Sequence, residues 1–496
     1  GDITVGDGET EGTGGVTANK VEAEGVVTPN GDLTAESSLK ASEVAAEGQV
    51  VSVGTEDGES TLAVGDGGVK AKTLNLTNVK DGTVSGDVEV ETLNVKGGSI
   101  TADSDTTVSL TGTESSVDGA TLSLGTLDTG SAKLDVVDSK VEVAVLKGTG
   151  RIVLDPSYLG AKGVENGVLT QSLLIGSGSV FNYAATTEQL QKWISQTDLT
   201  LDANYALTNT GYAAAVLNES LNLGTTGQLI VDPQITSTTA DTLYPATDTT
   251  RAVFAKNSLL VVSATAASGE NGALYTTQGT DKSVKIYNGA KLYLAEASGG
   301  EYTIIGGDLT STFYDESGNE ISASETTAWT GDNFYADTVL LQASEVTVDA
   351  TTGDVVIHTE AKNASDVYPG LDSDLSPVLT SGVNNGQVGS AYVSSGQPGQ
   401  QFLSRAIDNR YLGSDKQAVV KTIESAARIA VLSGAPAMTF MANEAAANAV
   451  VARTSIANPA LGILGMNADG SSQASGATGD GYDKSGFGMW IMPLYQ

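Results

Sequence analysis

Short runs in which apolar and polar residues alternate one by one fill the first 155 residues. Val88-Glu89-Val90 and Val141-Glu142-Val143 are examples. Alternation with a period of two gives a strand one face for a core and one for water. The runs are too short for helices, and Asp81-Gly82 and Gly97-Gly98 punctuate them as turns. Three of them share a form: Thr73-Leu74-Asn75-Leu76, Thr92-Leu93-Asn94-Val95 and Thr121-Leu122-Ser123-Leu124. The first two lie 19 residues apart and the third 29 further on, so the spacing is irregular. A repeat near about 20 residues built from short strands marks a stacked solenoid, in which no layer buries its apolar side alone. A β-sandwich array fits less well, because paired hairpins at regular spacing are not evident.

Residues 184–200 interrupt the pattern. Leu190, Trp193 and Ile194 fall at helical spacing after Thr186 or Thr187 as a cap, which predicts a short helix. A packed insert anchored by Trp193 is the expected role, ahead of a binding excursion. Strand-type sequence resumes to about residue 360, and 363–400 reads as loop, with Gly386, Gly389, Gly396, Pro398 and Gly399 among polar residues. Ser414-Asp415-Lys416-Gln417 then forms a capping box ahead of a helix over 418–432 with Val419, Ile423, Ala426 and Ala430 on one stripe. Gly434 and Pro436 stop it, and a second, alanine-rich helix follows over 437–453. Residues 467–487 read as a Gly/Ser/Asn/Asp loop, and 488–496 as a strand.

Charge narrows the possible partners. Of 496 residues, 60 are acidic and 25 basic, a net charge of −35, and only Arg151 and Arg251 of the arginines precede residue 400. Such a field repels nucleic acid and polyanionic sugars. Aromatics are 5% of the chain, so the core must be built from Val, Leu, Ile and Ala. There is no cysteine, which excludes thiolate chemistry and disulfides and suits a chain threaded unfolded through a pore. No run of 18 apolar residues exists to span a membrane as a helix. The chain begins Gly1-Asp2-Ile3 without Met or signal peptide, so a processed or truncated chain is expected.

Candidate chemistry is sparse. The one histidine, His358, lies in Asp354-Val-Val-Ile-His and is expected to be structural. Gly176-Ser177-Gly178-Ser179 reads as a turn, not a nucleophile elbow. Carboxylate pairs for glycoside hydrolysis carry no specificity among 60 acidic residues. Tyr287, Tyr293 and Tyr302 cluster along the sequence and are expected to be structural. Asp66-Gly67-Gly68 and Asp315–Asn319 offer oxygen ligands, yet neither matches a calcium-binding pattern. No catalytic, metal-binding or cofactor-binding residue is therefore assigned, and no enzymatic activity is expected.

The tail carries a resemblance. Glu424-Ser-Ala-Ala-Arg-Ile-Ala, Ala449-Val-Val-Ala-Arg-Thr-Ser455 and Gly488-Met-Trp-Ile-Met-Pro-Leu-Tyr-Gln496 resemble the alanine-rich linker and first barrel strand of autotransporters, the type V secretion proteins of Gram-negative bacteria. Residues 289–306 and 329–341 resemble the autochaperone cap of pertactin-like passengers. Val145–Asp155 resembles a passenger rung. The resemblance implies an all-β, right-handed parallel β-helix over 1–283 with a helical excursion near 184–196. It further implies an autochaperone-like cap over 284–362, a flexible linker over 363–400, a helical linker over 401–455, and a loop plus first barrel strand over 456–496. About 15–18 coils at about 4.8 Å would make a rod on the order of 70–90 Å long. The implied role is a cell-surface or extracellular structural or adhesive protein. Its expected partners are the outer-membrane β-barrel translocator, a host or neighbouring-cell surface, and other copies in a filament, with no nucleic acid. A polysaccharide-active enzyme or a functionless secretion fragment is the alternative.

Overall fold

The computed structural model describes residues 3–5, 15–279, 282–395, 397–409, 411 and 415–432. The expected helix over 437–453, the segment 456–496 and Ser414 lie outside them. The chain divides into two compact units. The first comprises residues up to Leu294 with Tyr302–Phe334 and Glu345–Ile357, and the second Ala295–Glu301, Tyr335–Ser344 and residues from His358 on.

The first unit is predominantly β, and its strands pair in parallel in a long sheet. The pairing resolves into three stacks. In the first, one inner column runs Val53, Leu76, Val95, Val117, Val136, Leu154, Ile175, Val231, Phe254, Ile286 and Phe313, each opposite the next. Every member is buried. The second stack carries Ile100, Leu122, Val141, Leu159, Phe181, Ala215 and Leu260 in register. In the third, Val69, Val88, Val108, Leu127, Leu146 and Val164 align. Leu221, Leu274 and Ile305 align likewise in a second, five-stranded sheet. Branched aliphatic side chains at matched positions thus form continuous dry columns, which no single strand could bury alone.

Register corrects one reading of the repeat. Thr73-Leu74-Asn75 does lie opposite Thr92-Leu93-Asn94. Thr121-Leu122-Ser123 does not continue that line, since it pairs with Ser99-Ile100-Thr101 in the second stack, while Asn94 faces Ser116. The irregular spacing of the third run reflects a change of stack.

Strands up to about residue 147 alternate buried and accessible positions, as at Glu114–Asp118 and Lys133–Val137. Later strands, Val180–Tyr183, Ala213–Leu217 and Ser258–Ser263, are buried at every position. An insertion lies between the first two of them. Between Tyr183 and Ala213 the chain forms the helix Thr187–Ile194, capped by a box of Thr186 and Gln189, with Leu190, Trp193 and Ile194 buried. Trp193 is fully buried, as an insert anchored by it requires.

The first stack ends differently from how it runs. Thr310–Tyr314 receives an antiparallel partner, Glu320–Ile321, along its outer edge. Pairing an exposed edge removes a template for aggregation. Trp329, fully buried, donates its backbone N–H to Ala290 O and packs edge-on against Phe254 with ring centroids 5.5 Å apart.

In the second unit, the stretch read from sequence as loop carries helices instead: Ala364–Val367, Ser376–Asn384, Tyr392–Ser395 and Pro398–Ile407. Polar residues there serve as caps. Asn363 accepts from Ser365 N, and Gln397 and Gln400 form a capping box. The last described helix, Lys416–Leu432, starts with Asp415 accepting from Ala418 N at 3.0 Å. It buries Val419, Val420, Ile423 and Ala427 rather than Ala426.

Candidate functional site

The outward column of the first stack is Ser52, Asn75, Asn94, Ser116, Asp135, Val153, Leu174, Ile230, Val253, Lys285 and Thr312. Its first four members form a polar ladder. Asn75 Nδ2 donates to Ser52 Oγ at 3.1 Å, Asn94 Nδ2 to Asn75 Oδ1 at 3.0 Å, and Ser116 Oγ to Asn94 Oδ1 at 3.0 Å. Parallel register brings like side chains within hydrogen-bonding reach, as in stacked amide ladders elsewhere.

From Val153 the column turns apolar, and the chain covers it. Val153, Leu174, Ile230 and Val253 are buried with Ile235 and Ala240 of the segment between Val231 and Ala252, and Tyr244 and Tyr287 pack on the same cluster. An ionic cluster pins this cover at the polar–apolar boundary. Arg151 Nη2 donates to Ala240 O at 3.0 Å and also to Tyr244 O. Lys133 Nζ lies 2.9 Å from Asp241 Oδ2 and 3.2 Å from Asp135 Oδ2. Ser237 N donates to Asp155 Oδ2 at 2.8 Å. Burial pulls the Lys133 ammonium down, but Asp241 and Asp135 outweigh it and hold it above its usual value. Burial raises the Asp135 carboxyl against the pull of Lys133. Burial likewise lowers the Arg151 guanidinium, countered in part by Asp241.

Beyond the cover lies a row of tyrosines. Tyr287 and Tyr314 occupy matched positions on paired strands, and their rings stack with centroids 5.1 Å apart and planes 24° apart. Tyr244, from the cover, donates its hydroxyl to Asp232 Oδ2 at 2.8 Å. Burial, then the Asp232 charge, push the Tyr244 phenol far above its ordinary range, so it serves as a donor and not as a nucleophile. All three tyrosines are half-buried. Leu243, next to Tyr244 in the chain, is 44% exposed, one of two large apolar side chains so open among the described residues. Nearby carboxylates are Asp232 and Asp248, whose charges both act on Tyr244.

Residues singled out from sequence fall elsewhere. Tyr287 takes Tyr314 as its stacking partner rather than Tyr293 or Tyr302, both of which are buried. His358 Nδ1 stands 3.4 Å from Glu301 Oε1, and Ser344 Oγ donates to the His358 carbonyl. Ser179 is fully buried and accepts from Ser157 N at 3.0 Å, one step of a ladder in which Ser157 Oγ accepts from Ser139 N. Asp315 spends its oxygens inside its own turn, on Ser317 N, Asn319 N and Asn319 Nδ2. Gly67 and Gly68 make room for a neighbouring strand: a Cβ on Gly68 would sit 2.0 Å from Asp87 O. Among the described residues no group of three or more His, Cys, Asp or Glu is placed to hold a metal ion. Arg251, buried, donates to the carbonyls of Gly227, Leu223 and Gly224. Both early arginines thus pin loops.

Sequence reasoning missed the row of Tyr244 and Tyr314 and the role of Asp232. The available signal was the shared ending of Lys285-Ile286-Tyr287 and Thr312-Phe313-Tyr314, which the intervening strands Lys291–Ala295 and Gly300–Gly307 separate. Comparison with family models, with curated proteins and with solved structures finds no match to this chain.

Proposed function

We propose that the three stacks are the faces of a right-handed parallel β-helix and that the chain is an autotransporter passenger. In this reading it is exported across the outer membrane of a Gram-negative cell by a barrel translocator and acts at the cell surface as a structural or adhesive protein. The observation that carries the reading is the unbroken parallel register of the first stack, from Ser52 to Thr312, with dry aliphatic columns on one side and a polar ladder on the other. A solenoid displays a long surface without needing a closed globular core, which suits adhesion or self-association. Three further features fit. The chain holds no cysteine that could form a bridge before translocation. The antiparallel strand after Tyr314 and the buried Trp329 are suited to closing a stack. The tail motif resembles the start of a translocator.

The test is accessibility on intact cells that make the protein. An antibody against the outward Asn75–Asn94 face is expected to label unpermeabilised cells. Brief protease treatment of whole cells is expected to remove that label together with adhesion or clumping. Labelling only after permeabilisation overturns the reading.

A further inference from the structure

We propose that the tyrosine row is a binding surface for a neutral glycan chain. This inference rests on the adhesive reading and names the class of ligand. Aromatic residues are 5% of the chain, yet Tyr244, Tyr287 and Tyr314 meet along one face, and Leu243, next to Tyr244 in the chain, is open. Half-buried phenols present an apolar body with a polar tip, which is the chemistry that packs against the C–H face of a sugar ring and hydrogen-bonds its hydroxyls. The Tyr287–Tyr314 stack comes from two paired strands, so its geometry is set by the sheet and binding need not order it. Asp232 and Asp248 lie near Tyr244. Asp232, itself buried, accepts from Tyr244 and from Gln234 N and so fixes the Tyr244 ring. The half-buried Tyr287 and Tyr314 carry hydroxyls that can donate to and accept from sugar hydroxyls. The net charge of −35 turns away uronate or sulfate polymers, which leaves uncharged hexose or N-acetylhexosamine chains as the matching glycans.

Purified chain is titrated with cellohexaose, maltohexaose and chitohexaose, with binding read by calorimetry. At least one is expected to bind. The double variant Tyr287→Ala/Tyr314→Ala is expected to lose about tenfold in affinity, given two aromatic contacts removed. Tyr244→Phe, which removes only the hydroxyl, is expected to bind more tightly than that double variant. Affinity is expected to stay level as NaCl rises from about 0.05 to about 0.5 M, because no counterions are released. Circular dichroism of each variant guards against unfolding, and Thr101→Ala, on another stack, is the unchanged control. The proposal fails if none of the three sugars binds, if the double variant binds as well as the parent, or if affinity falls steeply with salt, which contacts to an uncharged ligand do not do. These outcomes are read on purified protein and are separate from whether cells display it.

Discussion

At the scale of single residues, parallel stacking sets limits that side-chain chemistry alone does not reveal. Gly48 and Gly68 both have positive φ, at 76° and 72°, yet their surroundings differ. A Cβ at Gly48 meets nothing within 4 Å, while at Gly68 it meets Asp87 O at 2.0 Å. Gly48→Ala is therefore expected to cost about 1 kcal/mol, from backbone strain alone. Gly68→Ala should cost about 1–3 kcal/mol more, because a neighbouring strand must shift. Urea unfolding of the two variants measures the difference, and equal losses would show that stacking distance is not limiting. Buried phenols give a second expectation. Burial pushes Tyr158 up to about 12 although Asn182 donates to its hydroxyl at 3.0 Å. Tyr368 is likewise raised by burial to about 12. A raised folded-state value favours the protonated phenol. Its stabilising contribution is whole below the unfolded value of 10.0 and is lost as pH climbs through about 12. Unfolding free energy should fall over that window, and Tyr158→Phe should flatten the fall by about 2–3 kcal/mol. A variant whose alkaline profile matches the parent's would contradict this assignment. None of these constraints was legible beforehand: the sequence marks Gly68 as a turn residue, and only the neighbouring strand makes it indispensable.

Among elements, those with a local pattern were the legible ones. The helix at Thr187–Ile194 was readable because cap and apolar face lie within nine residues, Thr186 to Ile194. The alternating strands up to Lys147 were readable for the same reason. The cover between Val231 and Ala252 was not, because what it buries, the column Val153, Leu174, Ile230 and Val253, is assembled from four distant strands. The small helices of 363–400 were obscured by glycine and serine, residues that read as loop but can also cap and space short helices. The cover's attachment is testable. Arg151→Ala removes a side-chain donor from the carbonyls of Ala240 and Tyr244 and one of the two cations beside Asp241, the other being Lys133. Limited proteolysis with mass spectrometry is expected to show new cleavage confined to 232–250, while circular dichroism keeps its β signature. Unchanged protection there would mean that the apolar contacts of Ile235 and Ala240 suffice. The end of the first stack makes a parallel case. Trp329→Ala should cost about 3–5 kcal/mol, since the ring is fully buried against Phe254. Thr101→Ala, at an exposed position, should stay within about 0.5 kcal/mol. Equal thermal stability of the two would count against a closing role for Trp329.

For the whole molecule, composition and periodicity conveyed the class, strands stacked in parallel with aliphatic columns inside. They did not convey register, because insertions change the spacing from strand to strand and no sequence repeat marks where a stack changes. Register is also what the functional proposals depend on, since it aligns the amide ladder and brings Tyr287 to Tyr314. The chain's lack of cysteine allows it to be read covalently. Sequence similarity alone would set Ser123 opposite Asn94, by aligning Thr121-Leu122-Ser123 with Thr92-Leu93-Asn94. The structure instead sets Ser116 opposite Asn94, with a 3.0 Å hydrogen bond between the side chains. Two double variants, Asn94→Cys/Ser116→Cys and Asn94→Cys/Ser123→Cys, separate these registers, because a disulfide forms only when Cα atoms lie about 4.4–6.8 Å apart. Under mild oxidation of the folded protein, intact-mass analysis is predicted to find the bridge in the 94/116 pair and free thiols in the 94/123 pair. A bridge in the 94/123 pair with none in 94/116 would contradict the parallel register on which the account stands.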